Sequence, residues 1–464
     1  MKRNNPLITG TVILTLTGLA SRLIGFFYRI FLSNTFGAEG MGIYQLIAPV
    51  LALSFALTVS GLQTAISKYV ASETTTKDYP TSFRTLLTGF VLAMFLSVVC
   101  ALCIYCFSEQ IAASFLLEPR TAPLLRIIAL SIPMATVHSC INGYFYGIRK
   151  TAIPAVSQLA EQICRVGSVF LIYRVCAQRG MQPTISFAVV GLVIGESASM
   201  LVSIVAILIR ANHVFPKHSL PFSVRSALSG RLTASARQYR HIVRQLLALS
   251  IPLSANRVII NMLQSIEAIY IPNKLMQHGL SNADALGVYG VLTGMSLPLI
   301  LFPSAITNSI SVLLLPVVAE ADDSGNHRTI SRAIFKSLKY CLLLGFACTL
   351  FFLLFGRLAG ELLFHSALAG SFILTLSFIC PFLYLASTLG SILNGLGKTG
   401  LTFLYSVLSL LLRLAFVFFA IPAYGIKGYL WGMLASQILQ TGLCTLSALR
   451  ISKSPQPKTD ASIR

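Results

Sequence analysis

The sequence predicts an all-α polytopic membrane protein, with about 12 transmembrane helices in two six-helix bundles related by a parallel internal repeat. Three observations predict it: a composition too apolar for a soluble chain, apolar runs of bilayer-spanning length, and residues that recur at a constant offset between the two halves. Of 464 residues, 55% are hydrophobic and 11% charged, against roughly 25% charged in soluble domains. The apolar runs approach or exceed the roughly 20 residues that a helix needs to cross a bilayer. They are far longer than the roughly 10-residue alternating segments of a membrane β-barrel.

Spans are expected near 7–32, 42–67, 85–107, 122–147, 153–175 and 184–209, then near 245–272, 285–315, 333–356, 368–394, 400–422 and 427–449. The first follows Met1-Lys2-Arg3 and is too long, and too interrupted by arginine, for a cleaved signal peptide. It reads as a retained span. Between the sixth and seventh lies a polar stretch containing Lys217, Arg225, Arg231, Arg237 and Arg240. The domains expected are an N-terminal bundle over 1–210, a basic cytoplasmic linker over 211–244, a C-terminal bundle over 245–450 and a cytoplasmic tail over 451–464. The tail, with Pro455 and Pro457, is expected to be disordered.

At an offset of 248, Pro133 matches Pro381, Gly147 matches Gly395, Lys150-Thr151 matches Lys398-Thr399, and Arg165 matches Arg413. Gly42-Ile43-Tyr44 matches Gly287-Val288-Tyr289, while Arg22 matches Arg257 and Arg29 matches Gln264. Six spans per half is an even number, so both halves enter from one side and the repeat is parallel.

The net charge of +21 could suggest nucleic acid, but its placement argues against it. With the N-terminus inside, 23 of the 35 Lys and Arg fall in cytoplasmic segments and 7 in outer loops. That is the positive-inside bias, which orients a membrane protein and attracts anionic lipid. Both termini are expected in the cytoplasm and the protein in the cell membrane, with no nucleic-acid partner.

Charge inside the spans is rarer and more telling. Gly18, Arg22, Gly25 and Arg29 share one face of the first span. An arginine near mid-membrane costs at least about 2.5 kcal/mol on insertion scales and marks a bundle interior or a wet cavity. The seventh span repeats the theme with Ser250, Ser254, Arg257, Asn261 and Gln264, and Glu267 one turn on. Arg22, Arg29, Arg257, Asn261 and Gln264 are the candidate binding residues for an anion such as pyrophosphate, which arginine grips with its planar fork. Helix-to-helix hydrogen bonding is the plainer reading of the seventh-span stripe. The fifth span holds Glu161 and Arg165, an i,i+4 pair. With Arg413, these are expected as cavity residues or an ion pair. Glu196 and Glu267 are candidates for ion coupling, and Glu196 could instead pair with Arg165 or Arg413.

Enzyme signatures fail. Gly395-Leu396-Gly397-Lys398-Thr399 hints at a phosphate-binding loop, but Ile392 stands where that motif needs glycine. Cys100, Cys103 and Cys106 lie in an apolar span without acidic or histidine partners. No metal, cofactor or catalytic residue is expected.

The motifs resemble a known family. Gly18, Arg22-Leu23-Ile24-Gly25-Phe26, Arg29-Ile30, Gly40-Met41-Gly42-Ile43-Tyr44, Gly61-Leu62-Gln63-Thr64-Ala65-Ile66-Ser67-Lys68 and Glu161-Gln162-Ile163-Cys164-Arg165-Val166 are similar to the stage V sporulation protein B family. So is Gly287-Val288-Tyr289-Gly290-Val291-Leu292-Thr293-Gly294-Met295. That family belongs to the multidrug/oligosaccharidyl-lipid/polysaccharide exporter superfamily. The resemblance implies export of an undecaprenyl-pyrophosphate-linked glycan by alternating access, for peptidoglycan of the spore cortex, with cell-wall synthesis enzymes as possible partners beside membrane lipid. Ser21-Arg22-Leu23-Ile24-Gly25-Phe26 matches the start of the lipid II flippase motif, which implies a cavity-lining role for Arg22. The acid and the two further arginines of those flippases are replaced, at about their places, by Ile43, Ala56 and Thr293. Two alternatives stand beside this expectation: a cation-coupled multidrug antiporter of the same fold, and a non-transporting membrane scaffold for cortex synthesis.

Overall fold

A computed structural model describes residues 6–76, 78–214 and 232–453. The core of the basic linker (215–231) and the end of the tail (454–464) lie outside the described residues. The described chain is helical throughout, with two compact units, Met1–Met295 and Ser296–Arg464.

The first unit runs α1 (Pro6–Leu46), α2 (Ala48–Phe55), a π-helical turn (Ala56–Ser60), α3 (Gly61–Thr75), α4 (Tyr79–Cys106), α5 (Ala122–Ala129), α6 (Ser131–Gly147), α7 (Ala152–Gln178), α8 (Ser186–Val214), α9 (Leu232–Gln277) and α10 (Asn282–Gly290), closing in another π-helical turn (Val291–Ser296); a further one spans Ile111–Phe115. The second unit holds α11 (Leu297–Leu301), α12 (Ser304–Asp323), α13 (His327–Phe364), α14 (Ala367–Leu376), α15 (Cys380–Gly395), α16 (Thr399–Ala415), α17 (Ile421–Tyr424) and α18 (Ile426–Lys453).

Local chemistry sets many of the helix starts. Asp78, Ser281, Asn326 and Ser366 each accept a backbone N–H from the first turn of the helix they precede, satisfying donors that a helix end leaves orphaned. Within α1, Gly37 takes φ 69°, a conformation that glycine adopts without steric cost. There the first span turns over into the second.

Eight described helices are long and apolar enough to cross a membrane, or nine with one bent pair, against the twelve expected. Two of the missing spans have a physical cause. The stretch Ile13–Thr75 counts once at 63 residues, yet at 1.5 Å per residue it is about three times the roughly 30 Å hydrocarbon core. α7 falls short because Glu161 and Arg165 lower its hydropathy, although it has spanning length at 27 residues.

The internal repeat is visible in the packing. A Cβ placed on Gly147 would meet Ser67 O and Val70 Cβ at 2.8 Å; one on Gly395 would meet Leu315 O at 2.8 Å and Val318 Cβ at 3.4 Å. All three pairs of residues are related by the offset of 248 found in the sequence. Each unit therefore seats an equivalent helix C-terminus on an equivalent neighbour. In the first unit this seat adjoins a core of Leu62, Ile66, Leu86, Tyr144, Phe145 and Leu246.

Candidate functional site

Small residues build the first constellation. Gly191, Gly195, Ser199 and Ser203 recur every fourth position on α8, and α7 lies against that stripe. A Cβ on Gly191 would stand 2.1 Å from Val169 Cγ2, and one on Gly195 would stand 2.8 Å from Glu161 O and 3.0 Å from Arg165 Cβ. Such stripes let membrane helices approach to backbone distance. Farther along the seam, Ser157 Oγ lies 2.6 Å from Ser199 Oγ and 3.1 Å from Ser203 Oγ.

This close approach brings Glu196 beside the fifth-span pair. Arg165 Nη2 donates to Glu161 Oε1 and lies 3.7 Å from Glu196 Oε1. His138 of α6 completes the group, its Nε2 being 2.8 Å from Glu196 Oε2. The four side chains are only 13–17% exposed. His138 Nδ1 is buried with no hydrogen-bond partner among the described residues. A neutral imidazole carrying its hydrogen on Nε2 suits that geometry, donating to Glu196 and leaving Nδ1 a bare lone pair.

The charges then do not balance: two carboxylates face one guanidinium. A surplus negative charge inside a membrane protein is costly, and one added proton removes it. The three ligand atoms of His138, Glu161 and Glu196 lie within 4.8 Å of one another, close enough for a metal ion. Arg165, already bonded to one of these carboxylates, would repel a divalent cation, so the residues fit a proton better. The offset of 248 places Ala386 and Ser409 opposite His138 and Glu161, while the arginine persists as half-buried Arg413. The full cluster thus belongs to the first half alone. Sequence reading found its carboxylates and arginine but missed His138, whose partner lies 58 residues away.

The second constellation joins the two cationic stripes to their neighbours. Arg257 Nη1 donates to Ser60 O at 3.0 Å, and Asn261 Nδ2 to Ala52 O at 2.9 Å. Both reach the second span, not the first. Gly61 permits this: a Cβ there would come within 2.4 Å of Ser250 O and 2.3 Å of Ser254 Oγ. Arg29 Nη1 donates to Thr293 O at 3.3 Å. The helices meet there because Gly42 and Gly290 interlock, each placing a would-be Cβ 2.1 Å from the other helix's carbonyl oxygen, Leu286 O and Ala38 O respectively. Arg22 and Gln264 are exposed and have no hydrogen-bond partner among the described residues, whereas Glu267 is buried.

A polar network missed by sequence reading lies beyond the spans. Arg120 bonds Glu39 Oε1 at 2.6 Å and Glu118 Oε1 at 2.7 Å, and Asn282 Nδ2 donates to Glu118 Oε2 at 2.9 Å. Burial pushes the Glu118 carboxyl upward, but the bonds from Arg120 and Asn282 outweigh it and hold the group below the usual carboxylate range. The loop before α5 is thereby tied to the start of α10.

In the second unit, an apolar cleft of about 570 Å³ is lined by Phe346, Leu353, Phe378, Pro381 and Trp431. Its threonines, Thr349 and Thr375, donate to Ser377 O and Ser371 O, so its walls present hydrocarbon. Such a cleft suits an alkyl or prenyl chain.

Apolar spans, a repeated helical unit and ionisable groups buried within the spans define a multi-pass membrane protein of transporter architecture. The chain belongs to the polysaccharide biosynthesis protein family, whose model matches residues 7–322. It is 27% identical over 448 residues to stage V sporulation protein B of Bacillus subtilis (strain 168), covering 96% of this chain and 83% of that protein. Its fold is that of the lipid II flippase MurJ in its inward closed conformation, with a TM-score of 0.69 at 16% identity, covering 95% of this chain and 90% of that one. An inward-facing multidrug resistance transporter of the MATE family and MOP superfamily also shares it, at TM-score 0.65 and 16% identity, covering 95% and 94%.

Proposed function

We propose that this protein is a flippase that moves an undecaprenyl-pyrophosphate-linked glycan from the inner to the outer leaflet. The observation that carries the reading is the set of arginines on the first and seventh spans. Arg22 and Arg257 are exposed, Arg257 while bonded through Nη1 to Ser60 O, and Arg29 is half-buried. Arg22, Arg29 and Arg257 bind the pyrophosphate, with Asn261 and Gln264 donating to it or to the first sugar. The family, and a flippase among the structures of the same fold, support this reading. Transport proceeds by alternating access of the two six-span halves, 1–210 and 245–450, with both termini in the cytoplasm. Moving about two negative charges outward across an inside-negative 100 mV yields roughly 4–5 kcal/mol, enough to favour the forward direction.

The tetrad of His138, Glu161, Arg165 and Glu196 supplies a one-proton site that couples the cycle to the proton gradient. The same tetrad also favours a second reading, a cation-coupled multidrug antiporter. That reading leaves the arginines of the first and seventh spans unexplained, since a cationic substrate is repelled by them.

The test is binding to purified protein in lipid nanodiscs. Undecaprenyl pyrophosphate should bind at least tenfold more tightly than undecaprenol, and Arg22→Ala with Arg257→Ala should abolish the difference. Equal affinity for the charged and neutral lipids would reject the anion-binding assignment.

A further inference from the structure

The two arginines that make hydrogen bonds in the second constellation share an unusual acceptor. Ser60 O, which takes Arg257, closes the π-helical turn Ala56–Ser60; Thr293 O, which takes Arg29, lies in the π-helical turn Val291–Ser296. A π turn widens the helix and breaks the regular i to i+4 ladder, and such turns concentrate at functional sites. Thr293 O has Pro298 five residues on, which has no N–H to give it, whereas Ser60 O, at the N-cap of α3, takes Arg257 as an added donor. Ser60 O also takes Thr64 Oγ1 at 3.1 Å, so this carbonyl serves two side-chain donors. The arrangement is crossed: each arginine sits on the first span of one half, and its acceptor on the second span of the other. Both joints lie next to a glycine close approach, Gly61 for one and Gly290 for the other.

We infer that the π turns are docks for Arg29 and Arg257, that these bonds clasp the seams α1–α10 and α3–α9 shut, and that an anionic headgroup opens the seams by competing for the guanidinium groups. The inference rests on the proposed anionic substrate and deepens it, since it makes that substrate the key to its own gate. The chemistry favours release. A guanidinium bonded to a neutral carbonyl exchanges it for a doubly charged pyrophosphate, and charge-assisted hydrogen bonds are roughly twice as strong as neutral ones. Asn261, bonded to Ala52 O just before the first π turn, holds α9 in register while Arg257 lets go.

The experiment is hydrogen–deuterium exchange on the full chain in nanodiscs, following peptides that cover 52–64 and 288–297. Without ligand, Arg257→Gln should speed exchange around the first turn by about tenfold, the worth of a hydrogen bond to a charged group. Arg29→Gln should do the same around the second, with α4 peptides unchanged as the internal reference. Adding undecaprenyl pyrophosphate, or inorganic pyrophosphate at higher concentration, should loosen both turns in the wild type. Neither probe should loosen further a turn whose arginine has been replaced. Unchanged exchange in both ligand-free variants overturns the clasp, whatever the substrate. Variants that loosen, with a wild type that binds undecaprenyl pyrophosphate yet keeps its turns protected, overturn the competition while sparing the proposed function. Failure of both pyrophosphates to bind overturns the opening mechanism together with the substrate assignment, while loosened variants would leave the docks standing.

Discussion

Replacing Gly290 by alanine tests how tightly the seam between α1 and α10 is built. The new Cβ would lie 2.1 Å from Ala38 O and 2.5 Å from Gly42 N, both backbone atoms. Ordinary contact begins near 3.4 Å, so the helices must separate by about 1 Å or more, and no side-chain rotation can relieve the clash. Overpacking of this kind costs typically about 1–3 kcal/mol, opposed by about 1 kcal/mol of improved helix propensity. A net loss of up to about 2 kcal/mol shifts a closed seam by up to roughly 30-fold toward open. Gly287, one turn earlier on the same helix, supplies the control: a Cβ there meets only Ala38 Cβ, at 3.8 Å. Thermal unfolding in nanodiscs should show a clearly lower midpoint for Gly290→Ala and an unchanged or slightly higher one for Gly287→Ala. Exchange at the Val291–Ser296 turn should rise in the first variant only. Equal midpoints for the two variants would refute the close-packed seam.

Other expectations follow from the same geometry. Glu118→Gln should lower stability at neutral pH by weakening the Arg120 and Asn282 bonds. Because the folded carboxyl lies below its ordinary value, the link contributes fully above the unfolded pKa, about 4.3, and is lost as pH falls through the folded one. The midpoint difference between wild type and Glu118→Gln should therefore shrink below about pH 4; a difference that grows there would contradict the assignment. Glu196→Gln and His138→Asn should each remove the dependence of transport on a pH gradient while leaving potential-driven transport in place, as measured in vesicles with the two gradients imposed separately. Gly195→Leu should separate α7 from α8, lowering the unfolding midpoint by several degrees, whereas Gly167→Ala, whose Cβ would meet nothing within 4 Å, should be neutral.

Much of this is legible in the sequence. Apolar run length gave the membrane class, and the offset of 248 gave a repeat whose packing recurs at Gly147 and Gly395. The pairing of Glu161 with Arg165 was readable because i,i+4 neighbours on a helix must meet. His138 was not readable: histidine has no periodic signature, and it meets Glu196 across the packing of α6 on α8, which brings together residues 58 apart. The destination of Arg257 was equally hidden, since its acceptor is a backbone carbonyl 197 residues away and carbonyls leave no mark in a sequence. Nor did anything in Ala56–Ser60 or Val291–Ser296 announce a π turn. The expected twelve spans and the eight or nine recognisable by length and apolarity part company where charge enters a span, as in α7, whose Glu161 and Arg165 dilute its hydropathy.

The most direct test of the central claim is translocation in proteoliposomes of a labelled undecaprenyl-pyrophosphate disaccharide, with the membrane potential imposed by a potassium gradient. The account predicts that wild type moves the lipid to the outer leaflet, faster as the inside becomes more negative, and that Arg22→Ala and Arg257→Ala fold but move it at least tenfold more slowly. A wild type that leaves the lipid in place under every potential, yet expels a cationic dye against a proton gradient, would contradict it and establish the antiporter instead.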